Sequence, residues 1–120
     1  MRYIRFESLE PCDGTACRLG IFQIAYRVRD AHATLLHDAN ELARLLRWFE
    51  DRMTAPDALE AQQNRRAICW FRDTAHEPIR HAWSMTPCLE PYGYRIGLRT
   101  SMSPGLIVYA DGWQVAAIPR

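Results

Sequence analysis

The most constraining stretch of this chain lies between Pro104 and Pro119, where two β-rich runs meet at the pair Asp111-Gly112. An Asp-Gly pair between such runs predicts a hairpin closed by a type I′ turn, in which both central residues take positive φ and the turn matches the strand twist. With Asp111 and Gly112 as the loop, Ala110 faces Trp113, Val108 faces Val115, and Leu106 faces Ala117. That face is wholly apolar and has to be buried. The other face carries Ile107, Tyr109, Gln114, Ala116 and Ile118, a mixture too apolar for plain solvent and too polar for a certain core.

A chain of 120 residues with 48% hydrophobic content can build one core without disulfides or metal, so a single domain over 1–120 is expected. Its 15 basic and 14 acidic residues nearly cancel, which removes any global field for holding a polyanion or a membrane surface. Every basic residue is Arg. Codon bias explains that more simply than selection for bidentate forks, because the arginines are scattered without local pattern. No run approaches the length of a signal peptide's apolar region or a membrane span, so the expected location is cytoplasmic. Cys12, Cys17, Cys69 and Cys88 are then reduced thiols.

Residues 2–7 alternate as a strand and end in the loop Pro11-Cys12-Asp13-Gly14. Residues 19–29 fit both periods: Phe22, Ile24, Tyr26 and Val28 alternate as in a strand, while Ile21, Ala25 and Val28 fit a helical stripe. Helix is the reading adopted, with Thr15 as its cap. The next helix has Asp38 as N-cap, Glu41 completing a capping box, and Leu42, Leu45, Leu46, Trp48 or Phe49, and Met53 along one side. Residues 60–65 are polar and form a connection or a short helical turn. Residues 67–71 read as a buried strand. A third helix starts near Thr74 with Glu77 as its box partner, and ends or kinks at Pro87, since a proline in mid-helix removes a hydrogen bond. Residues 94–99 form a strand leading into the hairpin. The order is βααβαβββ, an α+β layer: a mixed sheet of four to five strands, its last three forming a meander, with about three helices packed on it.

Chemical signatures are sparse. Cys12, Cys17, His32 and His37 approach the spacing of a zinc finger. If residues 18–30 are helical, however, Cys17 and His32 stand about 20 Å apart at 1.5 Å per residue, too far to share an ion. His76-Glu77-x3-His81 differs from a metalloprotease helix in placing its histidines five apart with Pro78 between them. No Gly-rich phosphate loop, nucleophile elbow or Cys-x-x-Cys pair is present, so no cofactor or metal is expected and no catalytic residue is assigned. Trp48, Trp70, Trp83 and Trp113, with Arg72, Arg80, Arg95 and Arg99 near them in sequence, are the makings of a stacking surface for single-stranded nucleic acid, though aromatics at such spacings more often belong to the core.

The segments Gly20-Ile21-Phe22-Gln23, Trp48-Phe49, Ile68-Cys69-Trp70-Phe71, Pro104-Gly105, Val108-Tyr109 and Gln114-Val115-Ala116 together resemble those of a set of short bacterial proteins. What this resemblance implies is structural: a helix over 19–29 and a strand followed by a helix around Trp70. Met85, Pro87, Cys88 and Pro91 depart from it, which bears on the length of the third helix.

The function expected from these residues is non-enzymatic binding to a second copy or another protein, through the outer face or free edge of the hairpin. The candidate binding residues are Tyr109, Trp113, Gln114, Arg72, His76 and Arg99. The alternative is a nucleic-acid-associated regulator gripping phosphates with Arg72, Arg80, Arg95 and Arg99. Third comes an enzyme using the crevice beyond strand 67–71, where Asp73, Thr74 and His76 gather.

Overall fold

In the computed structural model, which describes residues 1–10, 18–31, 40–53 and 61–120, the chain follows the order β1 (Tyr3–Ser8), α1 (Ile21–Ala31), α2 (Glu41–Arg52), β2 (Ile68–Arg72), α3 (His76–Leu89), β3 (Ile96–Ser101), β4 (Leu106–Ala110) and β5 (Gln114–Ile118). This is the expected α+β order βααβαβββ, with 3₁₀ turns at Gln62–Asn64 and Glu90–Tyr92. The strands make a five-stranded antiparallel sheet in the order β3-β1-β2-β5-β4. The mixed sheet and the terminal meander are therefore corrected. β3 sits beside β1 at the edge opposite β4, so it does not pair with β4 as a meander requires.

Two compact units make up the chain. The first comprises Met1–Arg5, Thr54–Ile79 and Arg99–Arg120; the second comprises Phe6–Met53 and Arg80–Leu98. In the first, β2 pairs with β1 through Tyr3 opposite Arg72 and Ile4 opposite Phe71, and with β5 from Ile68 opposite Ala117 to Phe71 opposite Gln114. Residues directly opposite in a ladder share a face. Trp70 and Val115 thus lie on one face, and Phe71 and Gln114 on the other. Gln114, Val115, Ala116 and Ala117 are all buried, as befits an inner strand covered on both faces.

The second unit is built around α1 and α2. The helical reading of 19–29 holds from Ile21 onward: Ile21, Ile24, Ala25 and Val28 are buried, which only the 3.6-residue period explains. Gln23 Oε1 accepts from the Gly20 amide at 3.0 Å, one half of a capping box. α2 is capped by Asn40, whose Oδ1 accepts from the Leu42 amide at 2.9 Å, and this replaces the expected cap at Asp38. Asp38 and Thr15 lie outside the described residues. Leu42, Leu45, Leu46 and Phe49 form the buried stripe, and Trp48 takes the half-buried flank. Tyr26 Oη donates to Glu50 Oε1 at 3.1 Å, joining the two helices. Burial, and then the Glu50 carboxylate, hold that phenol above its ordinary pKa.

α3 begins at His76, two residues later than expected, and continues past Pro87 to Leu89. A proline there leaves the Trp83 carbonyl without the amide it would otherwise receive. The Thr86 hydroxyl donates to that same carbonyl at 2.8 Å and takes the missing amide's place. Of the expected end or kink at Pro87, the end is overturned: the helix continues past the proline, with the Thr86 hydroxyl standing in for the missing amide. Pro78 costs less, since it falls in the first turn, where amides lack partners within the helix.

Candidate functional site

The hairpin tip gathers most of the residues singled out from the sequence, but around Asp111. Its Oδ1 accepts from the amides of Trp113 at 2.8 Å and Gln114 at 2.9 Å. Its Oδ2 accepts from the Tyr109 hydroxyl at 2.8 Å and from the Gln114 side-chain amide at 3.4 Å. Its backbone carbonyl accepts from Arg72 Nε at 2.7 Å, while its amide donates to the Gln114 carbonyl at 2.9 Å. Partial burial of the carboxyl works against ionisation. The hydrogen bonds from Trp113, Tyr109 and Gln114 outweigh it and hold the pKa below its ordinary value. Tyr109, Trp113, Gln114 and Arg72 are thus brought together as the hydrogen-bond donors to one aspartate.

This network moves the turn. Its central residues are Gly112 and Trp113, and the positive-φ glycines among the described residues are Gly93 and Gly105, so the expected type I′ loop at Asp111-Gly112 is corrected. An aspartate at the first turn position satisfies the following amides with its own side chain, so positive φ is not required. Ala110 consequently faces Val115 instead of Trp113, and Tyr109 faces Ala116. A bulge between Ile107 and Tyr109 then shifts the register, placing Ile107 opposite Ala117 and Leu106 opposite Ile118. The extra residue is Val108. Ile107 and Leu106 have therefore exchanged faces relative to the expected ribbon.

β4 is an end strand of the sheet, with 50% of Leu106 and 43% of Ile107 exposed. By the pairing they lie on opposite faces, so the edge offers apolar side chains above and below its backbone. No charged residue and no proline lies between Leu106 and Ala110. The other edge strand, β3, carries Arg99 and Gly97, both of which discourage pairing.

Arg99 Cζ lies 5.5 Å from the centroid of the Trp70 ring. Arg5 Nη1 donates to the Cys69 carbonyl at 3.2 Å, so a second guanidinium reaches β2 at the residue before Trp70. Sequence reasoning missed Arg5. The signal that would have found it is the alternation of 2–7, which puts Arg5 on the Tyr3 side of the strand. Of the four arginines proposed to act together, Arg72 and Arg99 belong to the first unit and Arg80 and Arg95 to the second. Arg95 pairs with Glu10 at 2.7 Å.

His76 is exposed at the start of α3, its amide donating to the Thr74 carbonyl. The Asp73 amide donates to the Arg2 carbonyl. His81 lies flat against Trp48, ring centroids 3.7 Å apart and planes at 11°, so the two histidines of the rejected metalloprotease spacing have different surroundings. A cleft of about 630 Å³ in the second unit is lined by Arg27, Val28, Asp30, Ala31, Tyr92 and Tyr94. None of Asp73, Thr74 and His76 lines it. Burial pushes the thiols of Cys69 and Cys88 up. Cys12, Cys17, His32 and His37 lie outside the described residues, and no metal-ligating cluster occurs among the described ones. Nor is any helix of the described residues long and apolar enough to cross a membrane.

No protein-family model, no curated protein and no solved structure matches this chain.

Proposed function

We infer that this protein is a non-enzymatic binding module that works by strand addition at β4, with β4 of a second copy as the partner. The observation that carries this reading is the character of that edge: an end strand with Leu106 and Ile107 half exposed on opposite faces and no charge or proline within it. Such a row of backbone donors and acceptors is a template for another strand. A second copy suits it because the paired segments are neutral and the whole chain carries a net charge of only +1, so two copies meet without appreciable repulsion. The bulge at Val108 bends the strand and divides the ladder. That favours a short, reversible pairing over open-ended fibre growth.

Sedimentation velocity over a concentration series tests this. A monomer–dimer equilibrium is expected, and Ile107→Lys should abolish the dimer while leaving the circular dichroism spectrum unchanged. Hydrogen exchange should report added protection in β4 amides as concentration rises. A chain that stays monomeric at the highest attainable concentration overturns the reading, as does a dimer indifferent to Ile107→Lys.

A further inference from the structure

We propose that the Trp70 indole N–H and the Arg99 guanidinium together bind an oxyanion of the phosphate class, a role independent of strand pairing at β4. Trp70 is 4% exposed, and its Nε1 is the buried side-chain nitrogen or oxygen among the described residues that has no hydrogen-bond partner. A native structure leaves such a donor unmet at a cost, and an acceptor arriving from outside relieves it.

The surroundings set the kind of acceptor. Arg99 lies over the indole, and Arg5 reaches the same strand at the Cys69 carbonyl. A guanidinium carries five N–H donors, so Arg99 can serve an incoming anion alongside its other contacts. Its fork matches two oxygens of one phosphate, and charge-assisted bonds of this type are stronger than neutral ones. A neutral carbonyl would satisfy the indole but make little use of the cations. With Arg99 swung from above the ring onto the anion, the uncovered indole face is a platform of the kind on which a nucleobase stacks. The phosphate could thus belong to a single-stranded nucleic acid or stand alone, and the two sources share the same donors.

The test is a titration followed through the indole N–H resonances in ¹H–¹⁵N spectra. The chain has four tryptophans, and Trp70→Phe identifies the relevant signal. One arm adds inorganic phosphate; the other adds a short single-stranded oligonucleotide. The Trp70 resonance should move downfield and saturate in at least one arm while the other three indoles stay put. Arg99→Gln should weaken that binding by about tenfold or more, the scale of a lost charge-assisted bond. Arg99→Lys, which keeps the charge and loses the fork, should fall between. Tighter binding of the oligonucleotide identifies a nucleic-acid backbone as the source; equal or weaker binding identifies free phosphate. A Trp70 signal unmoved in both arms overturns the proposal, and so does unchanged affinity in a well-dispersed Arg99→Gln spectrum.

Discussion

Asp111 accepts hydrogen bonds from Tyr109, Trp113, Gln114 and Arg72 at the hairpin tip, and its role follows from what a carboxylate can accept. Replacing one oxygen by an amide removes the charge and an acceptor while keeping the shape. Asp111→Asn should therefore lower stability at neutral pH by about 1–2 kcal/mol, the scale of a hydrogen bond to a charged group, as read by urea denaturation. The acid limb provides an independent check. Because the folded carboxyl titrates below its ordinary value of 3.8, its contribution is complete above that value and is lost as pH falls through the lower, folded one. The difference between wild type and variant should consequently narrow as pH falls below the ordinary carboxyl range, about pH 4. A difference that does not change with pH on the acid side would assign the loss to packing instead of charge. Gly105 provides a second residue-scale prediction. Its φ of +123° belongs to glycine, and a Cβ there would come within 2.0 Å of the Ile118 carbonyl oxygen. Gly105→Ala should cost about 2–3 kcal/mol, combining strain with a clash that backbone cannot avoid cheaply, and urea denaturation reads this loss as well. The Asp-Gly pair announces a turn correctly yet points to the wrong loop, because the dipeptide does not say whether the aspartate acts through its backbone or its side chain.

At the scale of elements, α3 tests whether the Thr86 hydroxyl truly substitutes for the amide Pro87 lacks. Thr86→Val removes the donor to the Trp83 carbonyl and should cost about 1 kcal/mol, while the same change made together with Pro87→Ala should cost far less, since an alanine at that position would restore the ordinary helical bond. Thermal denaturation of the two single variants and the double variant closes this cycle; equal costs for Thr86→Val in both backgrounds would refute the substitution. The same bond explains why the end of α3 is misplaced by sequence alone. A proline is visible in a sequence, but a hydroxyl one residue earlier becomes a compensating donor only once the helix has turned it back onto the preceding carbonyl. Elements with a repeating apolar period or a short unbroken apolar run are legible: Leu42, Leu45, Leu46 and Phe49 declare α2 by the first, and Ile68 to Phe71 declare β2 by the second. Caps shift by a residue or two, as at Asn40, because Asp38 and Asn40 are chemically equivalent candidates and only geometry chooses between them.

For the whole molecule, strand order is the least legible property. A hairpin is written locally, in a turn and its flanks, whereas placing β2 between β1 and β5 depends on pairings separated by much of the chain, and Gly97 and Arg99 suit β3 to an edge without saying which one. The same separation hides the Trp70–Arg99 contact, which joins residues 29 positions apart in sequence. These two surfaces should respond differently to ionic strength. Pairing at β4 is apolar and neutral, so raising sodium chloride from low to molar levels should leave the dimer's affinity nearly unchanged, and sulfate should strengthen it by favouring burial. An anion held by Arg99 competes with every added chloride, and its binding should weaken steadily over the same range. Sedimentation and indole titration performed across one salt series would therefore separate the two surfaces in a single protein preparation. A dimer that dissociates as salt rises would move the association from the apolar edge to the arginines, and would require Arg99→Gln, not Ile107→Lys, to disrupt it.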